Sequence, residues 1–162
     1  MDKKKTPALY VAQGGIIAAL YVALTFAFAP ISFGAVQVRI AEMLTILPLF
    51  TPAAIPGLFL GCIIGNAAGG AIVWDVIFGS LATLIGAVLG YRLRGNRWLV
   101  PIPAVVSNTI IVPLILKYGY GIPMSLPLMA LYICIGEIAG CYVLGEILAQ
   151  ILLKYGKGLF RQ

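Results

Sequence analysis

The chain has 162 residues, of which 62% are hydrophobic and only 10% are charged, and its mean hydropathy is +1.06. A water-soluble domain of this length cannot bury so much apolar surface, so the composition indicates a protein whose solvent is the lipid bilayer. The net charge of +6 comes from cations dispersed in short loops, which excludes the basic stripe typical of nucleic-acid binding.

The N-terminal stretch places three lysines, at positions 3–5, before an apolar run, as a signal peptide does. The run from Ala8 to Ala29 is too long for the apolar core of a signal peptide and shows no convincing small-x-small cleavage site. We therefore predict a retained first helix.

This first helix carries a ridge of small residues, spaced four apart, that would let another helix approach closely. From the pattern alone, packing within this chain and packing against a partner are equally good interpretations. The ridge consists of Gly15, Ala19, Ala23 and Ala27.

Six apolar segments follow one another along the chain, and their continuous rather than alternating pattern favours helices over a β-barrel. The second and third segments are shorter than the ~20 residues of a straight span. Prolines at positions 48, 52 and 56 predict short, tilted or broken helices there, and those at 101, 103 and 113 predict a kinked fifth helix. The segments are Ala8–Ala29, Val36–Phe50, Ala53–Asn66, Trp74–Gly90, Trp98–Leu116 and Leu126–Lys154.

The predicted fold is therefore an all-α polytopic membrane protein, a single domain of six transmembrane helices over residues 1–162. Nine of the eleven Lys and Arg residues fall on one side of such a bundle, and the positive-inside rule makes that side cytoplasmic. Both termini are thus predicted to be cytoplasmic. The nine are Lys3, Lys4, Lys5, Arg92, Arg94, Arg97, Lys154, Lys157 and Arg161.

Six polar residues lie in or at the ends of these apolar segments. An ionised side chain at mid-bilayer costs about 2.5–3.5 kcal/mol even on the lenient insertion scale, so such residues should face a protein or water interior. With a helical rise of about 1.5 Å per residue, all six fall in the outer half of the protein, where we predict one outward-facing chamber. They are Arg39, Glu42, Asn66, Asp75, Asn108 and Glu137.

Structural interpretations of these residues stay open. Arg39 and Glu42, three residues apart, could simply neutralise each other on one helix face. Asp75 could be an exposed helix N-cap. However, three carboxylates against one arginine leave excess acid, which suits a ligand that is rich in hydrogen-bond donors or positively charged.

Aromatic residues near the predicted outer ends could cover a flat aromatic ligand. Trp74 lies at the mouth of the fourth segment, and Tyr118 and Tyr120 follow the fifth. An interfacial aromatic belt is the alternative, and it is favoured for the two tyrosines. Glu146, near the cytoplasmic end, is interpreted as a surface or partner contact.

Several chemistries are excluded by what the sequence lacks. There is no histidine, no phosphate-binding GxxxxGK[ST] motif and no acyl-transfer constellation. Cys62, Cys134 and Cys141 stand singly in apolar segments, which argues against disulfides and a metal site. We therefore expect no enzyme activity, metal or cofactor, and energy for any solute accumulation must come from an ion gradient or another subunit.

The strings "FGAVQVRIAEMLTILPLFTPAAIPGLFLGCIIGN", "DVIFGSLATLIGAVLGYRL", "NTIIV" and "GEIAGCYVLG" resemble, in order, the QueT family. Its members are substrate-binding S components of energy-coupling-factor (ECF) transporters, a branch of the ATP-binding-cassette importers. The resemblance implies a cell-membrane bundle that captures queuosine precursors, 7-deazaguanines such as the aminomethyl derivative preQ1. It also implies a transmembrane coupling subunit and two cytoplasmic ATPases as partners, with Ala19, Ala23 and Ala27 at the interface with the coupling subunit.

The resemblance also suggests roles for the polar residues. A carboxylate, Glu42 or Glu137, would accept the N–H and the exocyclic amine of a deazaguanine as a bidentate pair. Asp75 is a candidate for the aminomethyl cation, and Arg39 would either donate to the O6 carbonyl or orient Glu42. The expected ligand shell is completed by Asn66, Asn108 and Trp74.

Three other functions remain open: a stand-alone secondary transporter of a nucleobase-like solute, an S component for a different vitamin, and a membrane scaffold that transports nothing. No inverted internal repeat is visible, which weighs mildly against the first of these.

Overall fold

The computed structural model describes residues 7–32 and 39–156. Every regular element in these two ranges is helical and none is a strand, which confirms the all-α prediction. A short helical turn, Ala29–Ser32, follows the first of six main helices. These are α1 (Pro7–Ala27), α2 (Ile40–Leu49), α3 (Ala54–Ala68), α4 (Asp75–Arg92), α5 (Arg97–Gly119) and α6 (Leu126–Tyr155).

Four of the helices, α1, α4, α5 and α6, are long and apolar enough to cross a membrane. The other two, α2 and α3, have 10 and 15 residues and are short for a straight span, as the sequence predicts. Part of the orientation prediction lies outside the described residues, namely the lysines at positions 3–5, Lys157 and Arg161. So do the first three residues of the predicted segment Val36–Phe50.

Several helices depart from α-helical winding. The whole of α2 is a 3-10 helix that contains Pro48, although 3-10 runs longer than 3–4 residues are uncommon. α4 opens with a π-helical turn at Asp75–Gly79, and α6 has one at Ile138–Leu144, directly after Glu137. Such departures occur frequently at functional sites, and each of these three lies at or beside a buried acid.

The three prolines that predict a kink in the fifth helix differ in their positions along it. Pro101 and Pro103 lie at the N-terminal end of the α-helical part of α5, where proline is well tolerated. Only Pro113 lies inside the helix, and the π-helical turn Ile115–Gly119 begins two residues later.

Helices α1 and α3 approach closely because α3 presents glycines to α1. A Cβ added to Gly61 would lie 2.7 Å from the Cβ of Tyr21 and 3.0 Å from the backbone oxygen of Ala18. Gly57 and Gly65 face Ile17 and Thr25 of α1 in the same way, at looser distances for Gly65. The glycines of α3 therefore allow this helix pair to pack closely.

The small-residue ridge predicted on α1 lies on another side of that helix. All four of its residues are exposed, and a Cβ added to Gly15 would meet nothing within 4 Å. The interpretation of this ridge as packing within the chain is therefore wrong for the described residues. The ridge consists of Gly15, Ala19, Ala23 and Ala27.

We predict that Gly61→Ala destabilises the bundle by about 1–3 kcal/mol, because the added methyl overpacks the α1–α3 contact. The matched change Gly15→Ala should instead stabilise it by about 0.5–1 kcal/mol, since alanine is the better helix former and the site is open. Thermal unfolding of the two purified variants in detergent measures both effects. Equal melting temperatures for the two variants would contradict the close α1–α3 contact.

Candidate functional site

The six polar residues that the sequence places in the outer half of the protein are all buried, and none is more than 7% exposed. We call them the polar cluster. Hydrogen bonds among them and their neighbours connect α1, α2, α3 and α4. The cluster comprises Arg39, Glu42, Asn66, Asp75, Asn108 and Glu137.

Glu42 is held from two helices. Its Oε1 atom accepts a 2.5 Å hydrogen bond from the Tyr21 hydroxyl of α1 and a 3.4 Å bond from the Thr83 hydroxyl of α4. Its Oε2 atom is buried and has no hydrogen-bond partner. One oxygen of this carboxylate thus fixes its position, while the other stays available.

Arg39, Asn66 and Asp75 form a second part of the cluster. The Nη2 atom of Arg39 donates to Asn66 Oδ1 at 2.8 Å, and Asn66 Nδ2 donates to the backbone oxygen of Asp75 at 3.3 Å. Asp75 Oδ2 accepts from the Tyr120 hydroxyl at 3.1 Å. Arg39 Nη1 and Asp75 Oδ1 are buried without a hydrogen-bond partner.

Two structural interpretations of these residues are wrong. Within residues 7–32 and 39–156, the pairing of Arg97 with Glu146 is the sole Lys/Arg–Asp/Glu ion pair within 4.0 Å, so Arg39 and Glu42 do not neutralise each other by direct contact. Arg39 lies in extended backbone before α2 and reaches α3 instead. Asp75 is buried rather than an exposed N-cap.

Glu137 brings the third acid next to Glu42. Ligand atoms of Glu42, Glu137 and Cys141 all lie within 4.8 Å of one another, and the Cys141 thiol donates to Glu137 Oε2 at 3.1 Å. Asn108 is fully buried beside Glu137, and neither its Nδ2 nor its Oδ1 atom has a hydrogen-bond partner. Carboxylates and thiols are also ligands for divalent metals, so these three side chains are where the described residues could hold one.

The cluster leaves five buried polar atoms unpartnered, and they include both donors and acceptors. An unsatisfied buried polar group costs about 1–3 kcal/mol, and folded proteins leave few of them. Because both kinds of atom are present, they suit a bound molecule that both donates and accepts hydrogen bonds. The atoms are Arg39 Nη1, Glu42 Oε2, Asp75 Oδ1, Asn108 Nδ2 and Asn108 Oδ1.

The aromatic residues at the mouth separate into two groups. Trp74 is 59% exposed and stacks on Phe78, and with Tyr118 it lines an apolar cavity of about 540 Å³ outside the polar cluster. Tyr120 instead joins the cluster through Asp75 and accepts a hydrogen bond from the backbone N–H of Ile72. Partial burial raises the pKa of the Tyr120 phenol, so its hydroxyl remains available as a donor.

Sequence reasoning missed four residues that support the acids. Tyr21 and Thr83 hold Glu42, and Cys141 bonds Glu137. The Cys62 sulfur accepts a bond from Asn66 and lies 3.5 Å from the Thr83 hydroxyl oxygen. The spacing of Cys141, four residues after Glu137, was an available signal, because residues four apart share a helix face. Tyr21 carried a weaker signal, since it is four residues from both Ile17 and Thr25, which are also buried.

Comparison with known proteins gives two matches. A family model described as QueT transporter matches residues 11–154. The curated protein "Queuosine precursor transporter QueT" of Lactococcus lactis subsp. cremoris (strain MG1363) is 38% identical over 93 residues, which are 56% of this chain and 54% of that relative. The chain thus spans about half the length of the curated relative it matches. No solved structure matches the chain.

We predict that Tyr21→Phe lowers the free energy of unfolding by about 1–3 kcal/mol, because Glu42 Oε1 loses its closest donor in a buried site. The same change at Tyr10, whose exposed hydroxyl makes a 3.4 Å bond to the backbone of Pro52, should stay within about 0.5 kcal/mol. Thermal unfolding in detergent compares the two. Equal losses would show that Tyr21 does not hold Glu42.

Proposed function

Because the chain belongs to the QueT transporter family, we propose that it is the membrane-embedded substrate-binding S component of an ATP-driven ECF importer. In this proposal it captures a queuosine precursor, a 7-deazaguanine such as preQ1, from outside the cell. The observation that carries the proposal is the set of unpartnered buried donors and acceptors in the polar cluster.

The hydrogen-bonding groups of a 7-deazaguanine complement this set. One edge of the base offers a ring N–H and an exocyclic amine, which carboxylates accept, and its carbonyl accepts a bond of the kind that Arg39 Nη1 can donate. In preQ1 the aminomethyl group adds a cation. Three buried carboxylates against one buried guanidinium favour a ligand of that charge.

The bonds already present distinguish the two glutamates. Glu42 Oε1 is occupied by Tyr21, so Glu42 offers only Oε2 to a ligand. Glu137 Oε2 is bonded by a thiol, which is a weak donor and easily displaced. We therefore assign the bidentate reading of the base edge to Glu137, and single donors to Glu42 Oε2 and Asp75 Oδ1.

The amides and the mouth complete the proposed shell. Asn108 can both donate and accept, while Asn66 positions Arg39 through their 2.8 Å bond. Trp74, which lies outside the polar cluster, would act at entry rather than on the bound base. A purine without the exocyclic amine would leave a buried carboxylate unpaired and should be rejected.

The proposed assembly has six transmembrane helices in one domain, with both termini in the cytoplasm. The exposed ridge residues Ala19, Ala23 and Ala27 would meet the transmembrane coupling subunit, since small residues let helices approach closely in lipid. Two cytoplasmic ATPases would hydrolyse ATP, so this chain is not itself an enzyme.

A stand-alone secondary transporter is the second candidate. It is favoured by the proximity of Glu42 and Glu137, within 4.8 Å, because closely spaced buried acids can relay protons. Uptake of radiolabelled preQ1 by cells that express this chain without any coupling subunit would support this candidate against the first.

We predict that preQ1 binds the purified chain with a saturable heat of binding, and that Glu42→Gln and Glu137→Gln each weaken it at least tenfold. The reason is that each change removes a charged acceptor from a buried site. Glu146→Gln makes the same chemical change at the Arg97 ion pair, outside the polar cluster, and should leave the affinity unaltered.

Isothermal titration with preQ1, guanine and 7-deazaguanine tests these outcomes. Normal binding by both cluster variants would show that the site lies elsewhere. Absence of saturable binding to any deazaguanine would contradict the substrate class, and a different vitamin would then be sought.

We predict that Ala23→Leu prevents co-purification with the coupling subunit while preQ1 binding is retained, because a bulky side chain would hold the helices apart. Ala67→Leu, at an exposed alanine of α3 outside the ridge, should assemble normally. Co-purification of Ala23→Leu at the level of the unchanged chain would refute this interface.

A further inference from the structure

A second cavity, of about 580 Å³, lies beside the loop that joins α4 to α5, at the other end of α5 from the cavity that Trp74 and Tyr118 line. Its polar side is formed by that loop, and its apolar side by the end of α2 and the last turn of α6. The residues that matter here are Arg94, Asn96, Arg97, Leu49, Phe50 and Leu153.

Both arginines are held by neighbouring side chains but keep unused N–H donors. Arg97 Nη2 bonds Glu146 Oε1 at 3.0 Å, and the guanidinium lies 4.7 Å from the centre of the Trp98 ring. The exposed guanidinium of Arg94 lies 4.2 Å from the centre of the Tyr91 ring. Each guanidinium carries five N–H donors, so both retain donors for an anion, and phosphate is the group that their planar geometry fits best.

The apolar half of the cavity indicates that the phosphate belongs to a molecule with an apolar part. Leu49 is half-buried and Leu153 is 46% exposed, so a fully water-soluble anion would leave these two side chains uncovered. The loop joins the ends of two helices that are apolar enough to cross a membrane, which places the cavity at the membrane surface. Trp98, also on its wall, is of the residue type that prefers that depth.

We propose that this cavity, which we call the basic pocket, binds the headgroup phosphate of an anionic phospholipid. Arg94 and Arg97 contact the phosphate, and the first carbons of an acyl chain lie against Leu49 and Leu153. The proposal is independent of the substrate assignment, because it uses none of the residues in the polar cluster.

Fluorescence quenching tests the proposal directly, because Trp98 lines the pocket and the chain has only one other tryptophan. In the Trp74→Phe background, the chain is reconstituted in phosphatidylcholine vesicles that contain a rising fraction of tail-brominated phosphatidylglycerol or tail-brominated phosphatidylcholine. Half-maximal quenching should require a lower fraction of the brominated phosphatidylglycerol, by more than the about fivefold that one arginine near the surface gives without any pocket.

Matched variants separate the pocket from general surface charge. Arg94→Gln and Arg97→Gln should each reduce the preference for phosphatidylglycerol, whereas Arg92→Gln removes an exposed charge that does not line the pocket and should preserve it. Glu146→Gln breaks the same ion pair as Arg97→Gln but keeps the arginine. The Glu146→Gln variant should therefore keep or increase its preference for phosphatidylglycerol.

Equal quenching by the two brominated lipids would overturn the proposal. So would an Arg92→Gln loss as large as that of Arg94→Gln, or a Glu146→Gln loss as large as that of Arg97→Gln. Loss of the preference on addition of millimolar inorganic phosphate would identify a soluble anion as the ligand and would also overturn it.

Discussion

Three carboxylates and a guanidinium are buried inside a helical bundle whose outer surface is apolar, and they do not pair with one another by direct salt bridges. In lipid, polar groups must be satisfied from within the protein, so this burial constrains every helix that contributes to it. The Tyr21–Glu42 bond, for example, depends on the packing of a third helix. Tyr21 can lie there because Gly61 of α3 has no side chain at the point of closest approach.

The departures from α-helical winding lie at or beside the three buried acids. Glu42 lies on a 3-10 helix, Asp75 begins a π-helical turn and Glu137 directly precedes another. A regular α-helix would direct these side chains differently, so the irregular turns contribute to bringing them together. The partly buried ion pair between Arg97 and Glu146 provides a contrast, since both of its charges are paired directly and it lies outside the polar cluster.

Much of this arrangement could be predicted from the sequence. The length of each apolar segment, and the cost of placing a charged side chain in lipid, depend only on the local sequence. The helical segments, the two short helices and the burial of the six polar residues follow from that. The partners of Arg39 could not be predicted, because the spacing argument assumed an α-helix through Arg39 and Glu42, whereas Arg39 precedes a 3-10 helix in extended backbone. Contacts between distant segments, such as Tyr21 with Glu42, depend on helix packing that no local pattern specifies.

A structure of the chain with preQ1 bound is the measurement that tests the central claim most directly. The base should lie within hydrogen-bond distance of Glu137 and of Arg39 Nη1, with the aminomethyl group near Glu42 Oε2 or Asp75 Oδ1 and the Tyr21–Glu42 bond retained. Density for the ligand in the apolar cavity between Trp74 and Tyr118, with the polar cluster unchanged, would contradict it.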